Sequence, residues 1–345
     1  CLAVSHDGLL TWQKHPCNPI IAGPPQGLQV TGFRDPYVWR ESDGLWYLAL
    51  VSGIKGQSGA VLLYRSSNLL DWEYLHLLCA GSIARNGHNW ECPNFFPLGG
   101  RHVLIVSPEP LGKAIYMSGD YEGLTFTPQR EGDVDSGGSL YAPQVMRDGQ
   151  GRRLLWGWLR EGRSRETQIA AGWSGVMSLP RELSLLADGS LGSRPVPELR
   201  GLRREHTQFA DLAIGPEVAP LPGVQGDALE IVLRLDLGEA EGVDLLVRRS
   251  PDGQEQTRLG YDRATGRLEC DRALASLSPD QDRSPHGAAH PLSGDALTLH
   301  LFLDVSVIEL YADESTCLTT RVYPQREDSL GVALADRGGA ARLLS

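Results

Sequence analysis

The sequence predicts an all-β protein, a β-propeller followed by a β-sandwich, on three observations. Helical periodicity is scarce. Short apolar and aromatic runs are punctuated by turn residues instead, with 40 Gly and 22 Pro among 345 residues, a density that suits many short strands. A weak repeat with a period in the fifties runs through the first half, about the length of one four-stranded propeller blade. Clean apolar–polar alternation fills the second half, as half-buried antiparallel strands require.

The repeat comes first along the chain. Leu9-Leu10-Thr11-Trp12 recurs 60 residues on as Leu69-Leu70-Asp71-Trp72, and Gly123-Leu124-Thr125-Phe126 follows 54 residues later as a looser copy. Ser5-x-Asp7 and Ser118-x-Asp120 stand ahead of the first and third copies at nearly the same offset. Asp35 lies 23 residues after Trp12, and Glu91 lies 19 after Trp72. These offsets predict equivalent places on successive blades, with both acids aimed at one central funnel. The chain opens mid-pattern at Cys1, without an initiating Met or a signal peptide, and reads as a strand entered partway, so residues are expected upstream. Localisation stays unassigned.

The boundary is expected in Arg194-Pro195-Val196-Pro197-Glu198-Leu199-Arg200 and the polar stretch after it, where prolines discourage strand pairing. This divides the chain into a propeller domain, 1–195, and a sandwich domain, 205–345. In the latter, Leu229, Ile231, Leu233, Leu235 and Leu237 are apolar while Glu230, Arg234 and Asp236 are polar. Leu297 to Tyr311 is mostly apolar at odd positions, with Thr298, His300, Asp304 and Ser306 between. Such runs separated by Asp, Gly and Pro turns make a two-sheet sandwich.

Composition narrows the function. A net charge of −11 and a pI near 5.3 argue against a nucleic-acid or anionic-membrane partner, since both need a basic surface. No apolar run approaches the ~18 residues of a membrane span. The six cysteines lie far apart without CxxC spacing, and the nine histidines form no ligand pattern. Gly-x-Ser-x-Gly, His-Glu-x-x-His and phosphate-cradling Gly-Lys-Ser/Thr segments are missing from the sequence. No metal or organic cofactor is expected.

Two segments carry chemistry, Phe33-Arg34-Asp35-Pro36 and Trp90-Glu91-Cys92-Pro93. A pair of acids in Pro-terminated, aromatic-flanked segments is what glycosidic bond cleavage needs. Glu91 is the candidate general acid/base. Trp90, Cys92 and Phe95 would wall it with apolar groups and raise its pKa toward the working pH. Arg34 would orient Glu91 or tune its charge, because a guanidinium stays ionised. The plainer readings are a structural Glu at a strand end and an Arg-Asp-Pro turn with an exposed ion pair. Cys92 reads as a packing residue rather than a nucleophile, since nothing near it favours a thiolate.

These segments resemble those of glycoside hydrolase family 32, the invertases, inulinases, levanases and sucrose-phosphate hydrolases. The resemblance continues through Tyr141-Ala142-Pro143-Gln144 and Leu155-Trp156-Gly157-Trp158-Leu159. It extends over Gly172-Trp173-Ser174-Gly175-Val176-Met177-Ser178-Leu179-Pro180-Arg181-Glu182-Leu183, Asp304-x-Ser306-x-Ile308-Glu309 and Thr320-Arg321-Val322-Tyr323-Pro324. It implies a five-bladed propeller followed by a β-sandwich, and a retaining β-fructosidase acting on sucrose or β-fructans. Asp35 would then bind fructosyl hydroxyls and stabilise an oxocarbenium-like transition state. Arg34 and Tyr141 would line the substrate site, and Trp158 would offer a stacking face. Asp135 precedes Tyr141 in the family manner, although a turn Asp explains it as well.

The departure is the nucleophile. The family places it in a Trp-Met-Asn-Asp-Pro-Asn-Gly-like segment, and no such segment occurs here, nor does a Phe-Ser-Gly-Ser-like one. The resemblance therefore implies a propeller lacking its first blade and part of its second. These 345 residues are expected to hydrolyse sucrose poorly or not at all. The alternative is a catalytically inactive carbohydrate-binding remnant. Two further rivals are an interaction scaffold pairing through open strand edges and a related hydrolase of arabinose or xylose polymers.

Overall fold

A computed structural model describes residues 1–339 and 341–345. The chain divides into two compact units, Cys1–Gly132 with Ala142–Gln144, and Asp133–Tyr141 with Val145–Ser345. In the first unit, β1 (Ala3–Val4) pairs with β2 (Gln13–Lys14). A four-stranded antiparallel meander follows, β3 (Val30–Arg40), β4 (Trp46–Ile54), β5 (Gly59–Ser66) and β6 (Glu73–Ala80). A second repeats the plan with β7 (Asn89–Leu98), β8 (Arg101–Glu109), β9 (Ile115–Glu122) and β10 (Thr125–Asp133). A third, which apart from Ala142–Gln144 belongs to the second unit, is built from β11 (Leu140–Arg147), β12 (Arg153–Leu159), β13 (Val176–Met177), β14 (Arg181–Leu185) and β15 (Leu191–Pro195), with β12 pairing both β13 and β14. Such meanders are propeller blades. Their central strands are apolar on both faces. Tyr47, Ala49, Val51, Val61 and Leu63 join one buried cluster while Leu48, Leu50, Leu62 and Tyr64 join another, as period-2 side-chain alternation dictates.

The sequence repeat corresponds to one recurring turn. Leu9, Leu69 and Leu124 all adopt positive φ, at 75°, 67° and 67°. The Trp12 and Trp72 indoles donate to the carbonyls of Leu9 and Leu69. In the first copy Ser5 accepts from the Leu9 amide and Asp7 from those of Leu10 and Thr11. The counterpart is Ser66-x-Asn68, where Ser66 accepts from Leu69, and Asn68 from Leu70 and Asp71. The Ser118-x-Asp120 echo is corrected: Asp120 takes the Gln129 amide from across the hairpin. The third copy, one residue shorter between its positive-φ Leu and its aromatic, aligns Leu124 with Leu9.

After a 3₁₀ turn at Pro197–Leu202 come β16 (Leu212–Ala213), β17 (Ala219–Gln225), β18 (Ala228–Asp236), β19 (Gly242–Arg249), β20 (Thr257–Asp262) and β21 (Arg267–Asp271). They continue with β22 (His286–Ala289), β23 (Ala296–Asp304), β24 (Val307–Ala312), β25 (Thr316–Arg321), β26 (Gly331–Arg337) and β27 (Arg342–Leu343). Two six-stranded sheets result, in the orders β16-β27-β18-β23-β24-β25 and β17-β26-β19-β20-β21-β22. The predicted alternation sets the register. Ile231, Leu233 and Leu235 stand opposite Leu301, Leu299 and Leu297, and all six are buried in one core with Val243, Leu245, Leu259 and Leu334 from the other sheet. The fold is thus all-β, propeller-type sheets followed by a β-sandwich.

A buried ion cluster lies within the second unit. Arg181 on β14, wholly buried, reaches Asp135 at 2.8 Å, Glu309 on β24 at 2.7 Å and the Thr319 hydroxyl on β25 at 2.6 Å. Tyr311 donates to Glu309, and the amides of Gly137 and Thr319 donate to Asp135. A side chain at residue 137 would put its Cβ 2.0 Å from the Thr319 amide nitrogen, so glycine is required there. Asp135 is therefore more than a turn former. It is a buried counter-ion.

Candidate active site

Three strands share one irregularity. On β3, β7 and β11 the residue before a proline has positive φ: Asp35 at 55°, Cys92 at 49° and Ala142 at 48°. Pairing slips at two of them, between Arg34 and Pro36 on β3 and between Glu91 and Asn94 on β7. Proline cannot donate to a ladder, and a bulge there turns the preceding side chain out of the regular pleat. The register corrects the predicted equivalence of the two acids. At a spacing of 57 residues Arg34 matches Glu91, and Asp35 matches Cys92. The offsets counted from Trp12 and Trp72 misled because the connections of the two blades differ in length.

The acids nevertheless meet. Arg34 Nη2 donates to Glu91 Oε1 at 2.7 Å, and its Nε stands 3.9 Å from Asp35 Oδ2. Asp35 Oδ2 accepts the Cys92 amide at 3.0 Å, with Cys92 Sγ 3.8 Å away. Side-chain exposures of 39% for Arg34, 32% for Asp35 and 23% for Glu91 leave the group open to an entering ligand. The hydrogen bond to Glu91, aided by the charges of Glu91, Glu109 and Asp35, raises the Arg34 pKa against a smaller opposing effect of burial. The guanidinium is thus a permanent cation between three carboxylates.

Sequence reasoning missed the third of these. Glu109 at the end of β8 accepts from Arg34 at 3.4 Å and from Asn89 Nδ2 at 2.5 Å. A signal was present, since Pro108-Glu109-Pro110 has the same acid-beside-proline form as the other two segments. Asn94 and Ser107 were also missed, and their polar character carried no pattern. Asn94, fully buried, donates to the carbonyls of Cys92 at 3.1 Å and Pro143 at 2.9 Å. Ser107 accepts the Ala142 amide at 3.1 Å.

The expected apolar walls need correction. Trp90 and Phe95 are core residues, 0% and 1% exposed, in a cluster with Leu63 and Leu104. The Trp90 indole donates to the Asn86 carbonyl. Pleating turns Trp90 to the face opposite Glu91. Cys92 is half-buried. Burial, with the charges of Asp35 and Glu91, pushes its thiol up to about 12, which leaves it protonated and inert at neutral pH. Tyr141 and Trp158 belong to the second unit, where their rings meet edge-on at 6.4 Å and Arg160 lies 5.0 Å over Tyr141. Trp158 is 44% exposed.

Residues 1–195 match the N-terminal domain of glycosyl hydrolases family 32, and residues 198–345 match that family's C-terminal domain. A sucrose-6-phosphate hydrolase of Escherichia coli is 32% identical over 99% of this chain and 72% of its own length. A raffinose invertase of Escherichia coli is 31% identical over 95% of this chain and 67% of the relative. Among solved structures, fructan 1-exohydrolase IIa of Cichorium intybus superposes with a TM-score of 0.87 at 24% identity, covering 96% of this chain and 74% of that one. A β-fructofuranosidase of Bombyx mori gives 0.78 at 25% identity over 99% of this chain and 71% of that one.

Proposed function

Because the chain belongs to glycosyl hydrolase family 32, we propose that it acts on terminal β-D-fructofuranosyl bonds of sucrose or fructans, with Glu91 as general acid/base. The 2.7 Å contact of Arg34 with Glu91, beside Asp35, is the observation that carries the reading. It joins two sheets and fixes a carboxylate where a ligand can reach it. Glu91 would protonate the glycosidic oxygen as the bond to fructose breaks. It would then accept a proton from the water that releases the sugar. Arg34 would steady the carboxylate between those steps. Asp35 would hydrogen-bond fructosyl hydroxyls and oppose the positive charge of the oxocarbenium-like transition state. Tyr141 and Trp158 are proposed as further substrate contacts, residues 1–195 as the catalytic domain and 205–345 as the sandwich domain.

Retention also needs an attacking carboxylate about 5–5.5 Å from the acid. The resemblance assigns it to a segment with no counterpart in these 345 residues. A second reading, for these residues taken alone, is a fold that keeps sugar binding without turnover. The test is fructose release from sucrose and from inulin by the chain and by Glu91→Gln. Release that vanishes in the variant supports hydrolysis through Glu91, and equal release by both removes Glu91 from the mechanism. No release by either, with fructan binding measured by calorimetry, selects the second reading.

A further inference from the structure

We infer that Asn94 is a positioning residue for Glu91, acting through the bulge that carries it. The inference rests on the assignment of Glu91 as acid/base. The pairing of β7 with β8 is interrupted between Glu91 and Asn94, and Pro93 has no amide hydrogen, so the regular ladder does not hold this stretch. The peptide groups of Cys92 are instead held by side chains. Its N–H goes to Asp35 Oδ2 at 3.0 Å and its C=O accepts from Asn94 Nδ2 at 3.1 Å. These two bonds stabilise the +49° φ of a non-glycine residue before proline, a conformation that costs energy unless its surroundings over-determine it.

Asn94 does more than close its own bulge. The same Nδ2 donates to the Pro143 carbonyl at 2.9 Å, in the bulge of β11. That second bulge is held in turn by Ser107, which accepts the Ala142 amide and stands opposite Glu91 in the pairing of β7 with β8. One buried amide thus clamps two bulges, on the first strands of successive sheets. Asn94 is 0% exposed, so it takes no part in sugar contact. Its effect on the reaction runs through where the Cys92 peptide, and with it the Glu91 side chain, is held.

Asn94→Leu keeps the branching at Cγ and the number of heavy atoms, though it is bulkier, and removes both donated bonds. A displacement of about 1 Å at a reacting group can cost on the order of 100-fold. The expected result is a kcat for fructose release lowered about 10- to 100-fold, with KM changed less than about threefold. A second readout is independent of turnover. In a background with the exposed Cys1 and Cys17 replaced by Ser, Cys92 should be alkylated by iodoacetamide roughly tenfold faster in Asn94→Leu, because its thiol loses the enclosure that suppresses the thiolate. Loss of packing alone would not produce this combination in a folded variant. A folded Asn94→Leu with either readout at the wild-type value overturns the inference. Should the wild type release no fructose, the alkylation rate decides by itself, which separates failure here from failure of the hydrolase assignment. If Asn94→Leu does not fold, Asn94→Asp, which has the same shape and no donor when ionised, is judged on the same criteria.

Discussion

Replacing Arg181 by Met should destabilise the second unit more than any single change at the candidate active site. Arg181 is 0% exposed, and the side chains of Asp135 and Glu309 are 1% exposed. Burial acts against its charge, yet Tyr311, Glu309 and Asp135 more than offset this and hold its pKa well above the usual value. Met fills similar space but leaves two carboxylates facing each other without a counter-ion. Breaking a buried pair by removing one partner costs about 3–5 kcal/mol. In a body of roughly 200 residues, each kcal/mol lowers Tm by about 2–4 °C, so a fall of about 6–20 °C is expected. Urea melts followed by circular dichroism should show a lower midpoint at unchanged m. Adding Asp135→Asn and Glu309→Gln to Arg181→Met should recover much of the loss, because the uncompensated charges disappear. A single Arg181→Met variant within about 1 kcal/mol of wild type would refute the account of this cluster as a charge-balanced buried network.

Three further outcomes concern Glu91, Cys92 and Glu161. Glu91→Gln should lower fructose release about 10²- to 10⁴-fold, the range for loss of a general acid/base. Its melting temperature should stay near wild type because the group is part-exposed at a strand bulge, and a large fall in Tm would reassign Glu91 to a structural role. Cys92, with its pKa pushed from 9.0 up to about 12, should be alkylated at pH 8 about a thousandfold more slowly than a free thiol; labelling at the free-thiol rate would contradict its enclosure by Asp35 and Glu91. For Glu161, burial raises the pKa but the hydrogen bonds from Arg163 and Tyr323 outweigh it, lowering the pKa from 4.5 to about 2. A depressed carboxylate contributes stability above its unfolded value that is lost as pH falls from about 4.5 toward 2. Stability measured across that window should therefore decline less steeply in Glu161→Gln than in the wild type.

Much of the fold was legible because it rests on periodicity. Ile231, Leu233, Leu235 and Leu237 recur at every second position and are buried, with Val232, Arg234 and Asp236 more open between them, and the Leu-Leu-x-Trp repeat marks a turn capped alike at Asp7 and Asn68. The candidate acids were legible because proline beside a carboxylate is conspicuous, and the same cue, followed further, would have found Glu109. Their relative register was misread, since intervals along the chain absorb loop length while the pre-proline bulges do not. Trp90 was misassigned to the site because adjacency in sequence suggests a wall, whereas on a strand it means the opposite face.

What the sequence determined by itself was the set of local choices: strands and turns, apolar faces, the two Pro-terminated acidic segments, and the family they resemble. Only the tertiary structure decided which polar groups meet. It brought Arg34 to Glu91 across 57 residues, placed Asn94 between two bulges, and buried Arg181 between Asp135 and a Glu309 that lies 128 residues on. The physical reason is range. Apolar burial and backbone pairing leave a periodic trace in a short window, whereas a hydrogen bond or ion pair needs atoms within about 3 Å, a proximity that exists only after the strands have been assembled.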